Sequence, residues 1–242
     1  GLLTDLAFTA MPKSEPLRHQ QADLLANRYS PAALWTAILP GIALAGMLVR
    51  LLVTGDAAWG DGVFAACALA LIACGGEYAL IDCCDEGQAS RLANLIMAAK
   101  VPRIDWLFNT HPHHDHLGGL SAVADTVPVR QFLICFHEYY NERMQSALAV
   151  AKARLIPVVH YGDGDRFEIG SAQLQVFLKG EPDWSVNEQS AVMRLSLGER
   201  SILFMADTQA RTFNLLAAME ERGLMDVDII KYPHHGKNGL VH

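Results

Sequence analysis

The sequence predicts an α/β fold in which a mixed sheet and its helices form a sandwich. The first observation is an apolar run at 63–74 that Gly75-Gly76 connects to a second run at 78–82, as in a β-hairpin. Strand and helix patterns then alternate, and closely spaced antiparallel strand patterns follow them. A doubly wound parallel sheet would alternate more strictly, so a mixed sheet fits this order better.

The composition sets the size and the broad class of the protein. The 242 residues are 51% hydrophobic, which is enough for a full core in one large domain, or in one domain plus an appendage. The formal net charge of −7 argues against a protein that grips nucleic-acid phosphates non-specifically, although a local basic patch stays open. The cysteines follow neither metal-binding nor disulfide spacing, and we expect small core residues at Cys67, Cys74, Cys83, Cys84 and Cys135.

The N-terminal part of the chain differs in character from the rest. Residues 1–31 are a mixed polar segment, and residues 32–53 are a hydrophobic run that would span about 30 Å as a helix. A buried helix, or a signal peptide ending near Ala43-Leu44-Ala45, are the alternatives. We expect one membrane-spanning helix at 32–53, with the N-terminus in the cytoplasm and the following domain outside it. Residues 54–62 would be a linker, and 63–242 a domain that we expect to be truncated at its C-terminus.

The elements of this domain are predicted from hydrophobic periodicity. Leu92, Leu95, Ile96 and Ala99 share one face of a helix that should end near Lys100. The later elements are predicted, in order, as a strand at 104–108, a helix at 120–126, a strand at 130–136, a helix at 138–154 that includes Tyr140, strands at 156–160, 166–169, 172–178, 191–197 and 201–205, a helix at 212–221 and a strand at 227–232.

The stretch NTHPHHDHLGG, residues 109–119, carries the strongest chemical signal. It presents the pattern H-x-H-x-D-H directly after a predicted strand, and Gly118-Gly119 would let the backbone turn tightly at its end. Crowding so many imidazoles and a carboxylate into one turn has no folding benefit, and both groups are ligands of zinc and similar divalent metals. We therefore predict a site for two neighbouring metal ions, with ligands from His111, His113, Asp115 and His116.

Two further candidates also follow predicted strands. Asp207 comes after the strand at 201–205, and His234-His235-Gly236 follows the strand at 227–232. Taken alone, Asp207 is more often a helix N-cap, and the histidine pair alone is undecided between a structural and a functional role. Loops at strand ends hold ligands rigidly in α/β scaffolds, so the three positions together favour one dinuclear centre that Asp207 bridges.

From about Gly62 onward, the chain resembles the metallo-β-lactamase-fold hydrolases. NTHPHHDHLGG is similar to the T-H-x-H-x-D-H-x-G-G signature of that superfamily, SILFMADT to its strand ending in G-D, and IIKYPHHGK to its H-H-G-S segment. The H-H-G ending and NEQSAVMRL resemble the branch that contains the hydrolase-like domain of the DNA-uptake protein ComEC and phosphorylcholine esterases. The resemblance implies an αββα sandwich with two zinc ions at the sheet edge, here without the two βα elements that normally close the fold.

The resemblance also implies roles for single residues. Asp115 would orient the attacking water as well as bind metal, and His234 would contact the substrate or protonate a leaving group. His114 would be exposed or would support a neighbouring ligand. The metal ligands would be His111 and His113 for one ion, Asp115, His116 and His235 for the other, and Asp207 for both.

The sequence departs from the family pattern at three places. The family often adds a histidine to the first metal, but the corresponding segment 185–190, SVNEQS, contains none. Water, Asn187 and His160 are the candidate substitutes. Ala206 and Cys84 stand where glycine is usual, and neither change removes a ligand.

We therefore predict a membrane-anchored hydrolase with a dinuclear zinc-bound hydroxide, acting outside the cytoplasm on a phosphodiester or related ester of a small molecule or polymer. One alternative is a lactonase or β-lactamase, against which the missing histidine and the H-H-G ending argue. The other is a non-catalytic ligand-binding module of a larger, DNA-uptake-like membrane protein. The intact set of metal ligands argues against that alternative.

Overall fold

The structure is a computed structural model that describes residues 62–66, 69–178, 183–209, 217, 219–221 and 223–236. The predicted segments at 1–31 and 32–53, and the linker up to residue 61, lie outside these residues. Within the described part, no helix combines the length and the apolar character needed to cross a membrane.

A six-stranded mixed sheet carries the histidine stretch. Its strands lie in chain order: β1 (Gly62–Ala66), β2 (Leu69–Cys74), β3 (Glu77–Ile81), β4 (Trp106–Asn109), β5 (Phe132–Ile134) and β6 (Val158–His160). The first three strands pair antiparallel, and β3 to β6 run parallel. Parallel strands end at the same edge of a sheet, so the loops that follow β3 and β4 are neighbours.

A second, five-stranded sheet supplies the other two candidate segments. Its strands are β7 (Arg166–Ile169), β8 (Ala172–Phe177), β9 (Val192–Leu197), β10 (Arg200–Phe204) and β11 (Ile229–Lys231), in the order β11-β10-β9-β8-β7. Only β10 and β11 pair in parallel in this sheet, as far as the structure describes it. The segments that carry Asp207 and His235 therefore also leave the sheet at a common edge.

Helices cover one face of the first sheet, and the second sheet covers the other. The helices are α1 (Ala89–Ala98), α2 (His114–Leu117), α3 (Leu120–Thr126) and α4 (Glu142–Ala153). Leu107 of β4 packs into a core with Ile96 of α1 and Met144 of α4. Its neighbours Trp106 and Phe108 point to the opposite face, where their rings lie 5.7 and 5.0 Å from the ring of Phe167 in β7. The mixed α/β sandwich is thus confirmed, although most of the predicted helix at 212–221 lies outside the described residues.

The prediction of one strand at 63–74 is wrong. The run forms two strands, β1 and β2, that pair antiparallel with Ala66 opposite Leu69. A single strand of that length would leave much of its backbone unpaired beside the five-residue β3, whereas folding back pairs it. The predicted hairpin across Gly75-Gly76 is confirmed, and both glycines have the positive φ that such a turn requires.

The fourth helix begins later than the sequence suggests. Asn141 is its N-cap, and the Asn141 side chain accepts a hydrogen bond of 2.9 Å from the backbone N–H of Met144. Tyr140 therefore lies before the helix, with 40% of its surface exposed, and does not contribute to the buried helix face.

Gly118 and Gly119 form the tight turn that the sequence predicts, and they are also needed for close packing. Their φ values, −62° and −83°, are those of a type I turn and do not themselves require glycine. A Cβ at Gly119 would clash with the carbonyl oxygen of Cys83, and one at Gly118 would clash with the backbone around Glu86. The glycines thus let the loop after β4 lie directly on the loop after β3.

Replacing Gly119 by alanine should destabilise the fold by about 1–3 kcal/mol, because the new methyl group must displace the Cys83 backbone. Urea unfolding measures this change. Gly162→Ala is the matched control, since no atom lies within 4 Å of a Cβ built there. Equal stabilities of the two variants would contradict the close-packing explanation.

Candidate metal centre

The histidine stretch leaves β4 in extended conformation and then turns into α2. His111 is fully buried, and His113 has extended backbone at the start of the helix. Their ring nitrogens converge, with Nε2 of His111 3.1 Å from Nδ1 of His113. Two ligands of a tetrahedral zinc ion lie about 3.3 Å apart when each bond is about 2.0–2.1 Å long, so this His111–His113 pair can share an ion.

A second group of ligand atoms gathers beside this pair. Nε2 of His235 lies 3.2 Å from Oδ2 of Asp115 and 3.4 Å from Oδ2 of Asp207. Nε2 of His116 lies 3.4 Å from Oδ1 of Asp207. In the described part of the chain, this is the one group of three or more acidic, histidine or cysteine residues whose ligand atoms all lie within 4.8 Å of one another. We call it the Asp115 group: Asp115, His116, Asp207 and His235.

Asp207 lies between the two sets of histidines. Its Oδ2 atom is 3.9 Å from Nε2 of His111 and 3.4 Å from Nε2 of His235, while Oδ1 faces His116. The two carboxylate oxygens therefore face imidazoles from the segment that follows β4 in the first sheet and from the segment that follows β11 in the second. Asp207 therefore lies near both sets of histidines.

Two buried atoms of the Asp115 group lack hydrogen-bond partners. Nε2 of His116 and Oδ1 of Asp207 are shielded from solvent, and their 3.4 Å separation is not a hydrogen bond. An unsatisfied buried polar atom costs about 1–3 kcal/mol. A cation held between them would satisfy both, so the residues present fit a metal ion.

The histidines are prepared for metal binding to different degrees. Burial lowers the pKa of His111 and His113, which keeps both imidazoles neutral and able to bind a metal. Burial would also lower the pKa of His116, but the carboxylates of Asp82 and Asp207 outweigh it and raise that pKa to about 9. A metal at Nε2 of His116 would therefore displace a proton.

The two carboxylates of the Asp115 group are ionised at neutral pH. The hydrogen bond with His235 is the main reason why the pKa of Asp115 lies well below its usual range. Burial would raise the pKa of Asp207, but the imidazoles of His116 and His235 outweigh it and hold that pKa well below its usual range. The centre thus presents two negative charges to a cation.

Asp82 follows β3 and is buried, and it is a residue of the centre that the sequence motifs did not predict. Its Oδ1 accepts a hydrogen bond of 2.8 Å from the backbone N–H of Thr110, and its Oδ2 accepts one of 2.7 Å from the Thr110 hydroxyl. Oδ2 also lies 2.7 Å from Nδ1 of His116. When Nδ1 of His116 donates to Asp82, Nε2 is left for a metal. The signal in the sequence was a carboxylate that directly ends an apolar strand, because such a group needs buried partners.

Strained backbone marks the ends of the strands that build the centre. Positive φ values, between 48° and 58°, occur at Asp82 and Cys84 after β3, at Ala206 after β10, and at His234 and His235 after β11. Such a conformation costs a residue with a side chain about 1 kcal/mol or more. This cost explains why the metallo-β-lactamase-fold hydrolases, which the sequence resembles, usually have glycine at the positions of Cys84 and Ala206.

Two other histidines of interest lie outside the centre. His114 is exposed, with Nε2 3.2 Å from a carboxylate oxygen of Asp85. His160 is also exposed, ends β6 two strands away from β4, and lies 3.4 Å from Glu138. The structure therefore does not bring His160 into the position of the missing ligand.

His234 is half-buried beside the Asp115 group without belonging to it. Its ring centroid lies 6.1 Å from that of His235, and its Nδ1 lies 3.4 Å from the side-chain nitrogen of Gln209. Of the two adjacent histidines, the structure brings His235 together with Asp115, His116 and Asp207.

Comparison with known proteins identifies the superfamily to which the chain belongs. A family model described as the metallo-beta-lactamase superfamily matches residues 64–223. The chain belongs to the metallo-beta-lactamase superfamily. The prediction of a metallo-β-lactamase-fold hydrolase is confirmed at this level, and the substrate is left open.

Individual relatives match less extensively. The chain is 46% identical over 54 residues to a hydroxyacylglutathione hydrolase of Anaeromyxobacter dehalogenans (strain 2CP-C), which covers 22% of this chain and 20% of that protein. A B3 metallo-beta-lactamase with an active-site glutamic acid has a TM-score of 0.49 at 20% identity, over 76% of each chain. A Cronobacter sakazakii metallo-beta-lactamase with a HARLDQ motif has a TM-score of 0.45 at 17% identity, over 65% of this chain and 70% of that one.

Replacing Asp82 by alanine should weaken metal binding about 10- to 100-fold, because His116 loses the group that orients it. Competition with a chromophoric chelator measures the affinity. Asp105→Ala is the matched control: Asp105 is a buried aspartate at the opposite end of β4, held by Arg103 and Arg130 at 2.6 and 3.1 Å. An Asp82 variant that binds metal as tightly as the Asp105 variant would rule out the orienting role.

Proposed function

We propose that this chain is a metal-dependent hydrolase that holds two zinc ions and acts on a phosphodiester or a related ester. The observation that carries the proposal is the convergence of ligands from both sheets on the buried carboxylate of Asp207. The proposed ligands are His111, His113, Asp115, His116, Asp207 and His235.

Zinc ions bound at this centre would supply a hydroxide nucleophile at neutral pH and polarise the phosphoryl or acyl oxygen. The two carboxylates are placed for different tasks. The Asp115 side chain is 31% exposed, whereas that of Asp207 is 3% exposed. Asp115 can therefore meet an attacking water and orient it, while Asp207 is shielded and serves to hold metal.

His234 is the proposed proton donor to the leaving group. It lies next to the Asp115 group but outside it, and it is half-buried, so a bound ester can reach it. An imidazole in such a place can transfer a proton to a departing oxygen near neutral pH.

A positive charge beside the histidine stretch, residues 109–119, favours an anionic substrate. Arg143 lies in the first turn of α4, whose N-cap Asn141 donates a hydrogen bond of 3.1 Å to the carbonyl oxygen of Pro112. The Arg143 side chain is exposed and has no hydrogen bond or ion pair with a described residue. Burial is the main cause of the lowered pKa of His113, and the charge of Arg143 adds to it. Such a guanidinium suits a phosphodiester better than a neutral lactone.

Membrane attachment through residues 32–53, with the hydrolase outside the cytoplasm, belongs to the same proposal. The hydrophobic run supports the attachment, and the segments NEQSAVMRL and IIKYPHHGK support a place in the ComEC-like and phosphorylcholine-esterase-like branch. Protease accessibility of the domain in intact cells is the measurement that tests this orientation.

The zinc-loaded full chain should hydrolyse bis-p-nitrophenyl phosphate, and Asp207→Ala should reduce this turnover to the level of the metal-free protein, because both metal positions lose a ligand. Glu199→Ala is the matched control, since it removes an exposed carboxylate at the other end of β10. An active Asp207→Ala variant would leave Asp207 only a helix-capping role.

The same assay should include a lactone, a cephalosporin and a glutathione thioester, the last because of the named hydrolase that the chain resembles locally. Hydrolysis of one of these without hydrolysis of the phosphodiester would exclude the proposed substrate class. Metal binding without turnover of any of them would favour the non-catalytic module.

Arg143→Gln should raise the KM for bis-p-nitrophenyl phosphate about tenfold, the lower end of what a hydrogen bond to a charged group contributes. Hydrolysis of neutral p-nitrophenyl acetate should not change. Lys152→Gln removes an exposed positive charge from the far end of α4 and should leave both substrates unaffected. If Arg143→Gln and Lys152→Gln behave alike, Arg143 does not bind the substrate.

A further inference from the structure

We infer that Asn187 supplies, through its Oδ1 atom, the ligand that the His111–His113 pair lacks. The inference rests on the proposed metal centre and assigns its missing position to an amide oxygen in place of the usual third histidine.

The two halves of the centre differ in their protein ligands. The Asp115 group offers four ligand atoms within 4.8 Å of one another. The shared Asp207 lies 3.9 Å from Nε2 of His111, and among the described residues no second cluster of three or more acidic, histidine or cysteine ligands includes the His111–His113 pair. A tetrahedral ion on this pair therefore has a position open for an oxygen.

The segment that contains Asn187 is attached to the histidine turn. Residues 185–190 form a compact turn, in which the backbone N–H of Ser190 donates to the carbonyl oxygen of Asn187 at 3.1 Å. The next N–H, that of Ala191, donates to the carbonyl oxygen of Thr110 at 3.1 Å. Thr110 directly precedes His111, so one hydrogen bond joins the backbone of this turn to the first metal ligand.

The side-chain oxygen of Asn187 is shielded from solvent and has no hydrogen-bond partner in the described part of the protein. A buried amide oxygen without a partner is destabilising, and amide oxygens are ligands of divalent metals. The neighbouring amide of Gln189 is different, because it already donates to the carbonyl oxygen of Trp184 at 2.6 Å. His160, the other candidate protein ligand, is exposed and paired with Glu138. Asn187 therefore combines an unused ligand atom with a turn that is hydrogen-bonded to the residue before His111.

An amide oxygen has a consequence for metal affinity. It is a harder ligand than imidazole and suits manganese or magnesium better than it suits zinc. The His111–His113 site should therefore bind zinc more weakly than the Asp115 group, so the two ions should bind in separate steps.

Titration of the metal-free full chain with zinc, against a chromophoric chelator, tests the inference. His111→Ala assigns the weaker step by abolishing it. Asn187→Ala should weaken that step about tenfold or more and leave the tighter step unchanged. Asn187→His should strengthen the weaker step, because it restores an imidazole. Gln189→Ala, which removes a paired amide from the same turn, should change neither step.

The outcomes separate this inference from the proposed function. Three outcomes would overturn the role of Asn187. The weaker zinc-binding step is unchanged in Asn187→Ala, or Gln189→Ala weakens that step equally, or the wild-type chain binds one zinc ion. If Asn187→Ala does not fold, Asn187→His decides, and an unchanged weaker step again overturns it. A wild-type chain that binds no zinc would overturn the proposed function itself.

Discussion

The carboxylate of Asp82 is the contact on which the metal centre depends. It accepts hydrogen bonds from the backbone N–H and the hydroxyl of Thr110, at the point where the chain leaves β4. It also lies 2.7 Å from Nδ1 of His116, six residues further along the chain. One buried group thus fixes the start of the histidine turn and the ring that closes it. Asp82 reaches both because β3 and β4 are parallel neighbours whose ends meet at one sheet edge.

The surrounding fold accepts local strain to keep this arrangement. Positive φ values occur at residues with side chains after β3, β10 and β11, and Gly119 allows a contact with Cys83 that no side chain would permit. Imidazoles and ionised carboxylates are also buried together, with Nε2 of His116 and Oδ1 of Asp207 left without partners. A bound cation gives these features a common reason, since it would neutralise the carboxylates and satisfy the free ligand atoms.

The parts that sequence could predict are those with local signals. The pattern H-x-H-x-D-H needs no long-range information, and Asp207 and His235 were accessible because each follows an apolar strand. Asp82 was missed because its role depends on which strand lies beside β4, which periodicity does not reveal. The split of 63–74 into β1 and β2 and the packing role of Gly118-Gly119 likewise depend on neighbours distant in sequence. Residues 32–53 lie outside the described structure, so their membrane helix stays a prediction.

The number of zinc ions bound to each chain tests most directly whether this centre holds two metals. It can be determined by inductively coupled plasma mass spectrometry after zinc loading and removal of unbound metal. Two ions per chain are expected, one on the His111–His113 pair and one in the Asp115 group. A chain without bound zinc would mean that the buried histidines and carboxylates stabilise one another without a cation, and would contradict the account.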